Sequence, residues 1–246
     1  MEAVLAALRI LECYESDRGL RAADIQERCG LQYSRVMRLV GTLTARGFLF
    51  LDIDSGRYHL GPSLLRLGRL LQDRYADLAS AVRPVLRALV EETDLTAMFS
   101  VPVGLSRLVL CKEEPSSALR YTVSEGQTRS MHQGASGRVM LAFIDDEARQ
   151  QVLETLGSVE AAQLSEVIAE VAVQRFDISV SELTKGAFAI ARPILGSDGE
   201  LIGVLSLAGP SASLTGALQE KYLHLLEQGA ARVPGASPTF AHQSQS

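Results

Sequence analysis

The sequence predicts a two-part α+β protein: a winged helix-turn-helix at the N-terminal end, a linker helix, and a C-terminal domain built on an antiparallel sheet. Three observations carry that expectation. Helix, glycine turn, helix and hairpin follow one another over residues 1–62, and from about Asp77 onward strand-like runs, some joined by hairpin turns, alternate with helical stretches. The chain's 246 residues suit two domains of unequal size, and a hydrophobic fraction of 47% is enough for a sizeable core. The organisation expected is the winged unit over 1–62, the linker helix over 63–76, the larger domain over 77–234 and a polar, Pro- and Ser-bearing disordered tail over 235–246.

In the first unit Val4, Leu5, Leu8 and Leu11 recur at helical spacing, so Glu2 to Glu15 reads as an amphipathic helix that stops before Asp17-Arg18-Gly19. A short helix follows over Ala22 to Cys29, and Gly30 supplies the left-handed turn that closes it. The third helix runs from Gln32 to Arg46. It places Val36, Leu39, Val40 and Leu43 at i, i+3, i+4, i+7 on one face, while Arg35, Arg38, Thr42 and Arg46 project elsewhere. Two helices of this size about a glycine turn form a helix-turn-helix, whose second helix lies in a major groove. Phe48 to Asp52 and Arg57 to Leu60 then read as the strands of a wing about Asp54-Ser55-Gly56, with Arg57 aimed at a phosphate. After Gly61-Pro62 the linker helix opens with Leu64, Leu65, Leu67, Leu70 and Leu71, Arg66 and Arg69 being interleaved.

Charge points the same way. Arg28 to Leu51 holds four arginines and no acid, inside a chain whose net charge is −5. The local positive charge can meet DNA, while the negative total excludes a protein that coats nucleic acid indiscriminately. The absence of Trp and the scarcity of aromatics argue against a stacking platform for single strands or sugars. Cys13, Cys29 and Cys111 are odd in number and lack ligand spacing, so neither a disulfide framework nor a metal site is expected, and the expected compartment is the cytoplasm. Glu2, Arg9 and Glu12 interrupt any leader-like pattern, and no apolar run approaches the ~18 residues of a membrane span, so no membrane partner is expected.

The second domain is expected to open with a helix over Leu78 to Glu92, followed by strands over Ala97 to Val103, Leu108 to Lys112 and Leu119 to Val123. A helix starting near Gly134-Ala135-Ser136, two more over Asp145 to Leu156 and Glu160 to Arg175, strands over Phe188 to Leu195 and Leu201 to Ala208, and a last helix over Leu214 to Ala231 complete it. No phosphate-cradling glycine motif, zinc-protease motif or nucleophile elbow is present. Ser130 and His132 could share a strand face as nucleophile and base, but no acid is placed to orient them, so no catalytic residue and no cofactor is expected. The Gly134-Ala135-Ser136-Gly137 segment keeps two readings open: first-turn amides free to hold an anion such as a carboxylate, or small residues for tight packing.

Five blocks, in order, resemble the IclR type of bacterial transcription regulator. They are ALRIL at Ala7 to Leu11, GLxxSxVxRLVxTL at Gly30 to Leu43, GRYHLGPSLLRLG at Gly56 to Gly68, GASGRVMLAF at Gly134 to Phe143, and GAFAIARPI at Gly186 to Ile194 followed by LSLAGP at Leu205 to Pro210. The resemblance implies a winged helix-turn-helix, a linker helix and a GAF-like effector-binding domain. It also implies a palindromic double-stranded DNA operator, a homodimer or dimer of dimers, and control by a small-molecule effector. On this chain the DNA-binding set becomes Arg21, Gln32, Tyr33, Ser34, Arg35, Arg38, Thr42 and Arg57, and the effector-binding set Gly134, Ala135, Ser179, Ala189, Ser206 and Ala208.

The chain departs from the family pattern at both sites. Arg21 stands where a Ser or Thr cap is usual, a loss of about 1 kcal/mol, and is free to reach a phosphate instead. Tyr33-Ser34-Arg35 replaces a frequent Lys-Ser-Thr and Met37 a frequent His, and Arg35 can bind guanine through two hydrogen bonds where Thr cannot. Ser179, Ala189 and Ala208 fall where family members that bind very small acids carry Asp, Cys and Ser. That exchange implies a larger, less polar acid, an aromatic or alkyl carboxylate. The alternative is a GAF-like sensor or enzyme whose N-terminal unit serves protein contact.

Overall fold

The computed structural model describes residues 2–117 and 120–235, and the chain divides into two compact units, Met1–Ala76 and Asp77–Ser246. Of the tail expected over 235–246, residues 236–246 lie outside the described residues, as does Leu119.

The first unit contains α1 (Glu2–Glu12), α2 (Ala22–Cys29), α3 (Tyr33–Ala45) and a hairpin of β1 (Leu49–Asp52) and β2 (Arg57–Leu60). Its core joins Ala6 and Ile10 of α1, Ile25 of α2, and the Val36, Leu39, Val40 and Leu43 stripe of α3 with Leu49 of β1. Helix α1 ends three residues before the expected Glu15. The Tyr14 hydroxyl there donates to the Tyr58 carbonyl at 3.0 Å, which ties the chain to the hairpin instead of the helix. Gly30 closes α2 with φ 64° and ψ 27°, its N–H donating to the Gln26 carbonyl. Arg21 offers no hydroxyl cap to α2, but its own N–H donates to the Asp24 carboxylate at 2.9 Å, which preserves half of a capping box.

Helix α4 (Pro62–Thr93) is one continuous element of 32 residues, whereas the sequence suggested a linker over 63–76 and a separate helix from Leu78. The residues Gln72 to Asp77 contain neither glycine nor proline, so nothing in the backbone chemistry breaks the helix there.

The second unit is a six-stranded antiparallel sheet in the order β5-β4-β3-β8-β7-β6. Its elements are β3 (Thr96–Val103), β4 (Ser106–Glu113), β5 (Thr128–Ser130), α5 (Ala135–Phe143), α6 (Asp146–Glu154), α7 (Ser158–Gln174), β6 (Asp177–Val180), β7 (Ala187–Leu195), β8 (Leu201–Pro210) and α8 (Gly216–Ala231). The strand expected over Leu119 to Val123 does not form in its described part. That segment is tied to the sheet by Thr96 Oγ1, which donates to the Tyr121 carbonyl, and beyond it Val109 N–H donates to the Gln127 carbonyl. The short strands β5 and β6 complete the two edges and had no separate sequence signal.

Register decides which side chains meet. Thr96 pairs with Ala208, Ala208 with Ala189, and Ala189 with Ser179; two residues along, Met98 pairs with Ser206, Ser206 with Ala191, and Ala191 with Asp177. Directly paired residues point to the same side, and residues two apart do too, so all eight occupy one face. On that face Met131, which precedes α5, and Ala135, Val139 and Ile168 of α5 and α7 pack with Ala191 and Val204. The opposite face carries Phe188, which stacks on Tyr222 of α8, and Leu205, which lies near Gly229 of α8.

Candidate functional site

In the first unit the surface of α3 divides sharply. Its apolar stripe is buried, and Tyr33, Ser34, Met37, Arg38, Gly41, Thr42 and Ala45 form a continuous exposed one. Gln32 and Arg21 are also exposed. The expected residues Tyr33, Ser34, Arg38 and Thr42 therefore stand together, joined by Met37 and Gly41, which the list of expected residues omitted. The Thr42 hydroxyl donates back to the Arg38 carbonyl at 3.0 Å, one turn earlier.

Two arginines expected to face DNA are engaged within the unit. Arg35 leans to α1, its Nη2 donating to the Glu2 carbonyl at 3.1 Å with the Glu2 carboxylate 3.8 Å away. Arg57 was expected to aim at a phosphate; its Nη1 donates to the Gly19 carbonyl at 3.0 Å and lies 3.8 Å from Asp24. It braces the wing against α2. The wing tip is acidic: the Ser55 hydroxyl and Asp54 N–H both donate to the Asp52 carboxylate, and the Ser55 bond holds that carboxyl below its ordinary pKa. A tip carrying Asp52 and Asp54 is a poor match for phosphate, and in the exposed stripe of α3 the cation is Arg38.

In the second unit the fold assembles the other expected set. Ser179, Ala189 and Ala208 form one row across β6, β7 and β8, Ser206 stands in the next row, and Gly134 and Ala135 start α5, which packs on the same face. Ser179, Ser206, Ala208, Gly134 and Ala135 are buried and Ala189 half-buried. The Ser206 hydroxyl is within 3.5 Å of the Met98 carbonyl, the acceptor of its one hydrogen bond.

The Gly134 amide is not free, as an anion seat at this helix start would require. It donates to Glu182 Oε1 at 2.7 Å, and Arg138 Nη1 holds both oxygens of the same carboxylate at 2.9 and 2.8 Å. Arg138 Nε also reaches Asp177 at 2.6 Å. Burial lowers the pKa of Arg138, but its hydrogen bonds to Glu182 and the charge of Asp177 outweigh it, and the guanidinium is held charged. The protein thus supplies its own carboxylate to the first amide of this segment, and the Ala135 and Ser136 amides remain as first-turn donors without an intrahelical acceptor. Packing accounts for Gly137: a Cβ there would lie 2.3 Å from the Met131 carbonyl oxygen.

The rest of this face was not legible beforehand. Met98, Val109, Val123 and Ala208 form an apolar cluster, with Tyr121 and Ala189 against it. A neighbouring cavity of about 250 Å³ is lined by Tyr121, Arg129, Thr184, Lys185, Ala187 and Pro210, among others. A larger cleft of about 650 Å³, bordered by Pro102, Phe143, Ile144 and Asp198, contains none of the expected residues. Among the described residues no group of three His, Cys, Asp or Glu is placed to hold a metal ion, and no helix is long and apolar enough to cross a membrane.

Comparison with known proteins accounts for both units. Residues 3–52 match the IclR helix-turn-helix domain, and residues 73–234 match the bacterial transcriptional regulator IclR C-terminal domain. The transcriptional regulator BhcR of Paracoccus denitrificans is 28% identical over 219 residues, covering 86% of this chain and 78% of BhcR. KipR of Bacillus subtilis is 27% identical, covering 86% and 87%. A crystal structure of an IclR transcriptional regulator from Alicyclobacillus acidocaldarius superposes with a TM-score of 0.72 at 25% identity, covering 95% of this chain and 97% of that one. The fold is shared by an IclR homologue from Microbacterium hydrocarbonoxydans solved in complex with 4-hydroxybenzoate, with a TM-score of 0.73, 23% identity, and 94% and 97% covered. This chain belongs to the IclR family of bacterial transcriptional regulators, with a helix-turn-helix DNA-binding domain and a C-terminal effector domain.

Proposed function

We propose that this chain is a cytoplasmic regulator that binds a palindromic double-stranded operator as a homodimer or dimer of dimers and releases or re-engages it when a small organic acid binds the C-terminal domain. The exposed stripe of α3 is the observation that carries the DNA reading, because it presents Tyr33, Ser34, Met37, Arg38 and Thr42 with no acid among them. Residues 1–62 read the operator, 63–76 link, and 77–234 receive the effector. A second copy is the partner that covers Val4, Leu5 and Leu8 of α1 and Leu65, Leu70 and Leu71 of α4, which are all exposed. Burying a leucine gives about 1.5–3 kcal/mol, so pairing these faces favours a dimer, whose two α3 helices then require a two-fold symmetric operator.

The effector reading rests on the shared row of Ser179, Ala189 and Ala208 with Ser206 beside it. The two alanines leave more apolar surface than a site for a very small acid offers, which supports an aromatic or alkyl carboxylate. The 4-hydroxybenzoate held by the Microbacterium homologue is of that class.

Gel retardation with the DNA upstream of the chain's own gene tests the regulator reading. Specific retention that weakens steeply with salt is expected, since each neutralised phosphate releases a counterion. Absent or salt-insensitive retention would overturn it and favour an N-terminal unit used for protein contact.

A further inference from the structure

The sheet face holds a charge that the residues carried over from the family leave unexplained. Arg107 of β4 is 6% exposed, and its guanidinium makes no hydrogen bond or ion pair among the described residues; Nε is buried without a partner. Arg129 of β5 is directly paired with it, and the Arg129 Nε is likewise buried and unpartnered. A buried cation without a counter-charge is costly, and two side by side repel. Burial first, then the charge of Arg129, pulls Arg107 down to about 10, so it is still cationic at neutral pH. The charge of Glu182 favours the cationic form from a distance, but its oxygens bond to Arg138 and the Gly134 amide and make no hydrogen bond or ion pair with Arg107.

The position of this cation is informative. Arg107 pairs with Pro102, which is an even number of residues along β3 from Met98, so it points to the face that carries the effector row. Its Nη2 lies 3.7 Å from where a Cβ on Gly134 would stand, beside the start of α5. The apolar cluster of Met98, Val109, Val123 and Ala208, with Tyr121 and Ala189, shares that face. A charge at one end and an apolar floor beside it match a molecule with an acid group and a hydrocarbon body.

We propose that Arg107, seconded by Arg129, binds the acid group of an organic carboxylate whose apolar body lies on Met98, Val109, Tyr121 and Val123. The assignment rests on the effector reading above and adds to it the residue that makes the charge contact. Without ligand the Arg107 guanidinium has no contacting counter-charge among the described residues, and the ligand's carboxylate supplies one.

Calorimetric titration and thermal unfolding of the full chain test this, with benzoate, 4-hydroxybenzoate, pyruvate and the neutral 4-hydroxybenzamide as probes against wild type, Arg107→Gln and Arg107→Lys. An aromatic acid is expected to bind wild type, with the amide and the Gln variant each weaker by about tenfold or more, as for a lost hydrogen bond to a charged group, and the Lys variant between them. Without ligand, Arg107→Gln is expected to unfold at the same or a higher temperature than wild type, because an uncompensated charge has gone. Acid binding undiminished in Arg107→Gln, or an amide that binds as well as its acid, overturns the assignment and leaves the effector reading standing. A lower unfolding temperature for unliganded Arg107→Gln overturns it too, since that marks a structural arginine. Failure of every acid to bind wild type overturns both.

Discussion

The two units place their charge in opposite ways. In the first, α3 turns Arg38 to solvent and keeps its buried stripe apolar; in the second, Arg107 and Arg138 lie largely inside the fold. An outside cation is solvated whether or not it has a partner, so evolution can change it with little effect on folding. An inside cation must be matched, by the protein's own acids as for Arg138 or by something brought in as inferred for Arg107. An exposed arginine such as Arg38 is thus available to a partner, whereas an engaged or buried one serves the fold, as Arg57 and Arg138 do, or a ligand, as inferred for Arg107.

The largest expected effect breaks the matched case. Arg138→Gln leaves Asp177 and Glu182 without their cation, and removal of one partner from a buried pair should cost about 3 kcal/mol, read by urea unfolding. Burial already raises the pKa of the Asp177 carboxyl, and Arg138 opposes that rise. In the variant only the Ile178 N–H still opposes the rise, so the folded state binds the proton more tightly than the unfolded chain does. The deficit is then full at pH 7 and shrinks as pH falls through the raised pKa. A deficit that grows in acid would contradict the pairing.

A smaller effect contrasts two arginines of the first unit. Arg38→Ala should lower operator affinity by about 1–3 kcal/mol if Arg38 reaches a base while changing stability by no more than about 0.5 kcal/mol. Arg57→Ala should do the reverse. Losing its bond to the Gly19 carbonyl costs about 1 kcal/mol of stability, and the salt dependence of DNA binding should not change. Titration of both variants in gel retardation and in denaturant separates the roles; a salt slope reduced by Arg57→Ala would return that residue to the phosphate backbone.

The contrast between the units also explains what the sequence could reveal. A helix displays its partition at 3.6-residue spacing, so Val36, Leu39, Val40 and Leu43 announced both the buried face of α3 and, by subtraction, most of its exposed face. Met37 and Gly41 escaped because neither carries a charge that would mark it. The sheet face is assembled from strands far apart in the chain, and its register is shifted by a bulge at Phe99 and Ser100, which no local pattern records. Arg107 fell just outside the strand expected over Leu108 to Lys112, and β5, which pairs with it, is only three residues long and had no separate sequence signal. Residues such as Ser179 and Ala208 entered through family resemblance alone. Their direct alignment across β6, β7 and β8 was visible only in the fold.

The smallest expected effect has the most informative sign. Gly41 lies in the exposed stripe of α3, and a Cβ added there meets nothing within 4 Å. Gly41→Ala should therefore stabilise the first unit by about 1 kcal/mol, the helix-interior difference between the two residues, whereas Gly137→Ala drives a Cβ into the Met131 carbonyl and must destabilise the second. A helix that carries an interior glycine forgoes that stability. If the reason is close approach of a DNA groove, Gly41→Ala raises the unfolding temperature while weakening operator binding, and Gly41→Leu weakens it further. If operator affinity is unchanged in both variants, the groove does not pass over Gly41, and the recognition surface is confined to the N-terminal turns of α3 around Tyr33, Ser34 and Arg38.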